Sequence, residues 1–183
     1  MNRNTTPAGA AGSDGFVGYI EVMFEVLVFV YENYWRGDAC PELEQLGRKL
    51  SAHGFEADEI NEALVWLDGL NLAAQNTQLS DAGQHPAVGH AQASTSMRIY
   101  SIAEQDHLGA QCLGFVSFLE SSGVLRAPMR EIVMDRAMAA PGDPVSLEDL
   151  KIIVLMVYWS FGEEPDALVL DELCDDPEFR LAH

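Results

Sequence analysis

Residues 146–162 read SLEDLKIIVLMVYWSFG, and whether this stretch is a strand or a helix decides the fold class. From Ile152 to Trp159 every residue is apolar or aromatic, and the β-branched content keeps a strand reading open. Two local signals favour a helix. Ser146 with Asp149 three residues on forms an N-terminal cap, and Leu147, Leu150 and Val154 recur at the 3, 4 spacing of one helical face. A middle that is apolar all round then suits the central helix of a bundle rather than one with a wet face. The expected fold class is therefore all-α.

The rest of the chain agrees with that reading. The stretch VMFEVLVFVYENYWR at 22–36 is apolar at nearly every position, and its length favours a buried helix over a strand. In PELEQLGRKLSAHG at 41–54, Pro41 suits a first helical position, Leu43, Leu46 and Leu50 share a face, and Gly54 is a stop. In FEADEINEALVWLDGL at 55–70, Ile60, Ala63, Leu64 and Leu67 lie on one side, Phe55 and Ile60 suit a hydrophobic staple, and Glu56 falls at the N-cap. Farther on, Ser101 and Glu104 make a capping box, opening a helix whose inner face is Leu108, Cys112, Phe115 and Leu119 and which Gly123 ends. PMREIVMDRAMAA at 128–140 is the next helix, broken by Pro141-Gly-Asp-Pro144. A short amphipathic helix, PDALVLDELC at 165–174, precedes an acidic tail.

These elements group into two packed helical modules. A disordered extension, 1–21, precedes a helix-turn-helix-like N-terminal module at 22–70. Residues 71–96, which lack an apolar period and are rich in Ala, Gln, Asn, Ser and Gly, read as a polar linker. A capped helical C-terminal module occupies 97–183.

Composition narrows the functions. The formal charge is −19, from 10 basic and 29 acidic residues spread along the chain. Such a field repels phosphate backbones, whose binding rests on Lys and Arg displacing counterions. The helix at 55–70, second in the helix-turn-helix-like pair, carries no Lys or Arg, so direct DNA or RNA binding is the lesser alternative. No apolar run reaches the ~20 residues of a membrane span. Cys40, Cys112 and Cys174 are far apart, with no CxxC pair, which disfavours a disulfide framework and a zinc site and suits the cytoplasm. His107 and Cys112 are five apart, off the i, i+4 spacing that aims two ligands to one side, and His85 and His90 fall in the linker. No nucleophile motif or phosphate loop occurs, so no catalytic residue, cofactor or metal is assigned.

The sharpest local feature is MRIYSIAE at 97–104, whose Arg98 is the only Lys or Arg between Lys49 and Arg126. The alternation of Met97, Ile99 and Ile102 with polar neighbours suggests a short extended segment. One reading makes Arg98 a bridge to acids on the helices the segment crosses, with Tyr100 packing its ring and reaching a partner through its hydroxyl. The other makes Met97, Arg98, Ile99 and Tyr100 a partner-binding patch, an Arg-Tyr chemistry enriched at protein interfaces.

The segments MFEVLVFVYENYW, GFEADEINEALVWLDGL, SMRIYSIAEQDHLGAQCLGFVSFLE and LEDLKIIVLMVYW occur in an order and spacing that resemble the bacterial Smg family, over residues 23 to 173. Family members usually begin at the position of Met23, which leaves residues 1–22 outside the pattern. The resemblance implies a genetic setting near DNA processing and a topoisomerase-like protein, but no established activity and no catalytic residue. The expectation is a non-enzymatic interaction or regulatory protein of the bacterial cytoplasm, soluble, whose partner is another protein, a basic one suiting the acidic surface.

Overall fold

In the computed structural model, the described residues are 14–34, 42–82 and 98–163, with Pro165 and Val169. They form six helices and no strand: α1 Asp14–Tyr34, α2 Leu43–His53, α3 Ala57–Ala82, α4 Ile102–Ser121, α5 Ala127–Met138 and α6 Leu147–Phe161. The protein is all-α.

The stretch that decides the fold class is a buried helix. Ser146 Oγ accepts from the Asp149 amide at 3.0 Å, and at the other end Gly162, with φ of 65°, takes the left-handed conformation that closes the last turn. Between them every side chain from Ile152 to Tyr158 is buried. Burial all round follows because α6 packs against α1, α3, α4 and α5. The Tyr158 hydroxyl donates to the Val124 carbonyl, which ties the α4–α5 turn to α6. Each buried aliphatic here is worth about 1.5–3 kcal/mol of transfer free energy, so a charge at Val154 would unfold the centre of the molecule.

Around α6 the other helices each bury one stripe. Met23, Phe24, Val26, Leu27 and Val30 come from α1, Leu46 and Leu50 from α2, and Ile60, Ala63, Trp66, Leu67, Leu70 and Ala74 from α3. Gly54 ends α2 with φ of 103°, and the Glu59 carboxylate accepts from the Glu56 amide at 2.8 Å to start α3. Phe55 is half-buried beside the core and Ile60 is buried, as a staple requires. Buried residues of α1–α3 and of α4–α6 belong to one continuous cluster.

Two boundaries and one buried face differ from the sequence expectation. The linker expected at 71–96 is helical over its first twelve residues, because α3 continues to Ala82. Loss of apolar period says that a face is wet, and Ala, Gln and Leu still propagate a helix already nucleated. Ala74, inside that stretch, is buried. The extension expected at 1–21 likewise contains the start of α1 at Asp14, where adding turns to a formed helix costs little. The inner face expected for α4 included Phe115, which is half-buried, whereas Val116 is fully buried. Cys112, Val116 and Leu119 share that buried face, and Gly109, at φ 67° and ψ 172°, breaks the helical conformation inside α4 before them. Pro41, most of the helix expected at 165–174, and residues 83–97 lie outside the described residues; Val169 packs against the core.

Candidate functional site

The segment 98–101 enters α4 through the capping box expected from Ser101 and Glu104. Ser101 Oγ accepts from the Glu104 amide at 3.2 Å, and Glu104 Oε2 accepts from the Ser101 amide at 2.7 Å. On an extended backbone, successive side chains point to opposite sides. Here Arg98 and Tyr100 take the inner side and Ile99 the outer one, the arrangement of the bridge reading. The apolar residues face water and the cation faces the protein.

Arg98 is a bridge. Its Nε and Nη2 bind both oxygens of Glu131 on α5 at 2.9 to 3.1 Å, and Nη2 also donates to Glu104 Oε1 at 2.8 Å. Its Cζ stands 4.8 Å from the centroid of the Tyr100 ring, whose negative face favours the cation. The Tyr100 hydroxyl lies 3.5 Å from Ser117 Oγ, and its carbonyl accepts from Gln105 Nε2 at 2.8 Å. The pairing continues inward. Arg130, the one charged residue buried among those described, donates to Glu131 and to Glu120. A chain of alternating charges, Glu104, Arg98, Glu131, Arg130 and Glu120, thus joins the two ends of α4 to the first turn of α5.

The electrostatics follow from this chain. Hydrogen bonds from Arg98, against the opposing cost of burial, hold the Glu104 carboxyl down at about 2. Burial pushes Glu131 up, but the hydrogen bonds from Arg98 and Arg130 outweigh it and the net direction is down. Hydrogen bonds to Glu131 and Glu104 hold Arg98 charged more firmly than an ordinary guanidinium. All three groups are ionised at neutral pH.

With the bridge in place, Ile99 is 90% exposed and Ile102, the first residue of α4, is 78% exposed. Of the four residues expected to form a partner patch, Ile99 faces outward, Arg98 and Tyr100 face the protein, and Met97 lies outside the described residues. Of the acids that receive Arg98, Glu131 was invisible to the sequence, because it is 33 residues away and only packing of α5 against α4 brings it near.

Cys112 and His107 serve packing. The Cys112 thiol, buried, donates to the carbonyls of Val145 and Ser146, and burial followed by the nearby Glu148 and Asp149 pushes it up to about 11. His107 Nε2 lies 3.2 Å from the Ala137 carbonyl. Among the described residues no three His, Cys, Asp or Glu side chains converge on a metal position, and no helix is long and apolar enough to cross a membrane.

Fold and site together define a helical protein whose ionised groups are used to brace a surface segment. A family model described as a protein of unknown function, DUF494, matches residues 23–183. A Smg homologue from Methylibium petroleiphilum is 62% identical over 161 residues, which is 88% of this chain and all of that protein. Those from Leptothrix cholodnii and Bordetella avium are 61% and 48% identical over the same shares. The chain belongs to this Smg family. No solved structure matches it.

Proposed function

We propose that the chain is a non-enzymatic interaction or regulatory protein of the bacterial cytoplasm, and that Ile99 and Ile102 are contact residues for a protein partner. The observation that carries this is the exposure of two large aliphatic side chains, 90% and 78%, on a segment braced by two ion pairs and a capping box. A segment already held in one conformation binds without a large ordering cost, and aliphatic anchors then gain their burial in full. Arg98 and Tyr100 act in this reading as the brace rather than as contacts. The half-exposed Glu131 and the exposed Asp106 beside the anchors favour a partner with basic residues around its apolar site.

The non-enzymatic reading is supported by the one described thiol, which is buried and raised to about 11, the reverse of an activated nucleophile. A DNA- or RNA-associated role gains no support, since α3 carries Asp58, Glu59, Glu62 and Asp68 in its first half and no Lys or Arg, and Arg98, Arg126, Arg130 and Arg136 are each paired with a carboxylate. The test is affinity purification from the native host with wild-type bait and with an Ile99→Asp, Ile102→Asp bait. The expected result is loss of the main partner with a melting temperature within about 2 °C of wild type, since exposed substitutions change stability little. Retention of every partner by the folded variant would reject the proposal.

A further inference from the structure

A second surface lies on α3, built without the segment just described. A concavity of about 470 Å³ opens between α3 and the end of α5. Trp66, itself 3% exposed, and Val65 line it from α3 with Asn61 and Glu62, and Ala140 and Pro141 line it from the other side. The Trp66 indole is fixed by its N–H, which donates to the Arg136 carbonyl at 3.0 Å. Val65 is 65% exposed, and Leu72, seven residues on and so on the same face of α3, is 60% exposed. Two large aliphatics thus stand outward in line with a preformed hollow that Trp66 helps to line.

The charge that α3 itself places around this stripe has one sign. α3 carries Asp58, Glu59, Glu62 and Asp68 in its first half and no Lys or Arg. Glu62 and Asp68, both exposed, sit three residues either side of Val65. The one cation lining the concavity, Arg136, is 14% exposed and held by Asp135 at 2.7 Å, with Nη1 against the Trp66 carbonyl. Its charge is neutralised in place.

We propose that this face of α3 docks a basic amphipathic helix of a partner protein, with aliphatic residues laid over Val65 and Leu72, one of them entering the hollow, and Lys or Arg opposite Glu62 and Asp68. Charge complementarity selects that occupant. A second copy of this chain would set carboxylates against carboxylates if the α3 faces met, and an anionic lipid surface or a nucleic acid would be repelled. An apolar stripe at i, i+7 flanked by acids is the pattern that a helix of opposite charge reads.

The test uses the full chain, isotope-labelled for NMR, at physiological salt. The probes are a synthetic amphipathic Leu/Lys helix of about 18 residues, a scrambled peptide of the same composition with no apolar face, and a Leu/Glu counterpart. The Leu/Lys helix is expected to shift the Trp66 indole signal and the amides of residues 61–72, and the other two are not. Val65→Asp, and separately Glu62→Lys with Asp68→Lys, should each weaken binding at least about fivefold, a difference of roughly 1 kcal/mol, with an unchanged amide spectrum elsewhere. Ile99→Asp should bind the peptide as wild type does, which separates this face from the one proposed above. Equal binding of the scrambled peptide, shifts that map away from α3, unaffected variants, or self-association abolished by Val65→Asp would each overturn the proposal.

Discussion

Replacing Arg98 by Ala removes the bridge between 98–101, α4 and α5. The Glu104 pair is largely shielded, with side chains 18% and 16% exposed, whereas Glu131 is half exposed and keeps Arg130 as a second partner. A charge-assisted hydrogen bond in the shielded position is worth about 1.5 kcal/mol, and the wetter pair adds roughly 0.5 kcal/mol. The expected loss is about 2 kcal/mol, or a fall of about 4–8 °C in melting temperature for a chain of this size. Circular dichroism melts at pH 7 measure it directly. Arg98→Lys should recover less than half, since an ammonium cannot span both oxygens of Glu131 while holding Glu104.

The pH dependence supplies a sharper check. Glu104 is held at about 2 against an ordinary value of 4.5, so its share of stability is complete above about 4.5 and fades as pH falls toward 2. The gap between wild type and Arg98→Ala should therefore narrow across that window. A gap below 1 °C at pH 7, or one that widens on acidification, would refute the bridge as an energetic element.

Three further outcomes are expected. Gly109→Ala should cost about 1–3 kcal/mol in chemical denaturation, because φ of 67° with ψ of 172° is glycine territory and no atom lies within 4 Å to clash; Gly114→Ala in the same helix should be neutral or slightly stabilising. Gly69→Ala would place a methyl 2.0 Å from Arg136 Nη1 and displace the guanidinium, lowering stability by about 1 kcal/mol, while the same change in an Arg136→Ala background should be stabilising. Cys112 should resist a thiol reagent at pH 8 in the folded protein and react on unfolding, as mapped by peptide mass spectrometry, because its thiol is buried and raised to about 11. Rapid labelling of Cys112 in the folded state would contradict that burial.

Helix starts and stops were legible in the sequence wherever they depend on contacts between near neighbours. The Ser101–Glu104 box, the Ser146 cap, and the turn at Gly54 are hydrogen-bond patterns spanning three to five residues, so the residue types alone specify them. The apolar run 152–158 equally declared a central element, because a segment with no polar face can only be surrounded, and the Ser146 cap with the Leu147, Leu150 and Val154 spacing made it a helix. The orientation of Ile99, the burial of Val116 over Phe115, and the partners of Arg98 were decided by the tertiary structure. Positions 115 and 116 both fit the periodicity of Cys112 and Leu119, so only the packing of the neighbouring helices chooses between them, and Glu131 reaches Arg98 only once α5 is packed. Local hydrogen bonds and apolar pattern are properties of a few adjacent residues, whereas which side of a segment is wet depends on what the distant chain places against the other side.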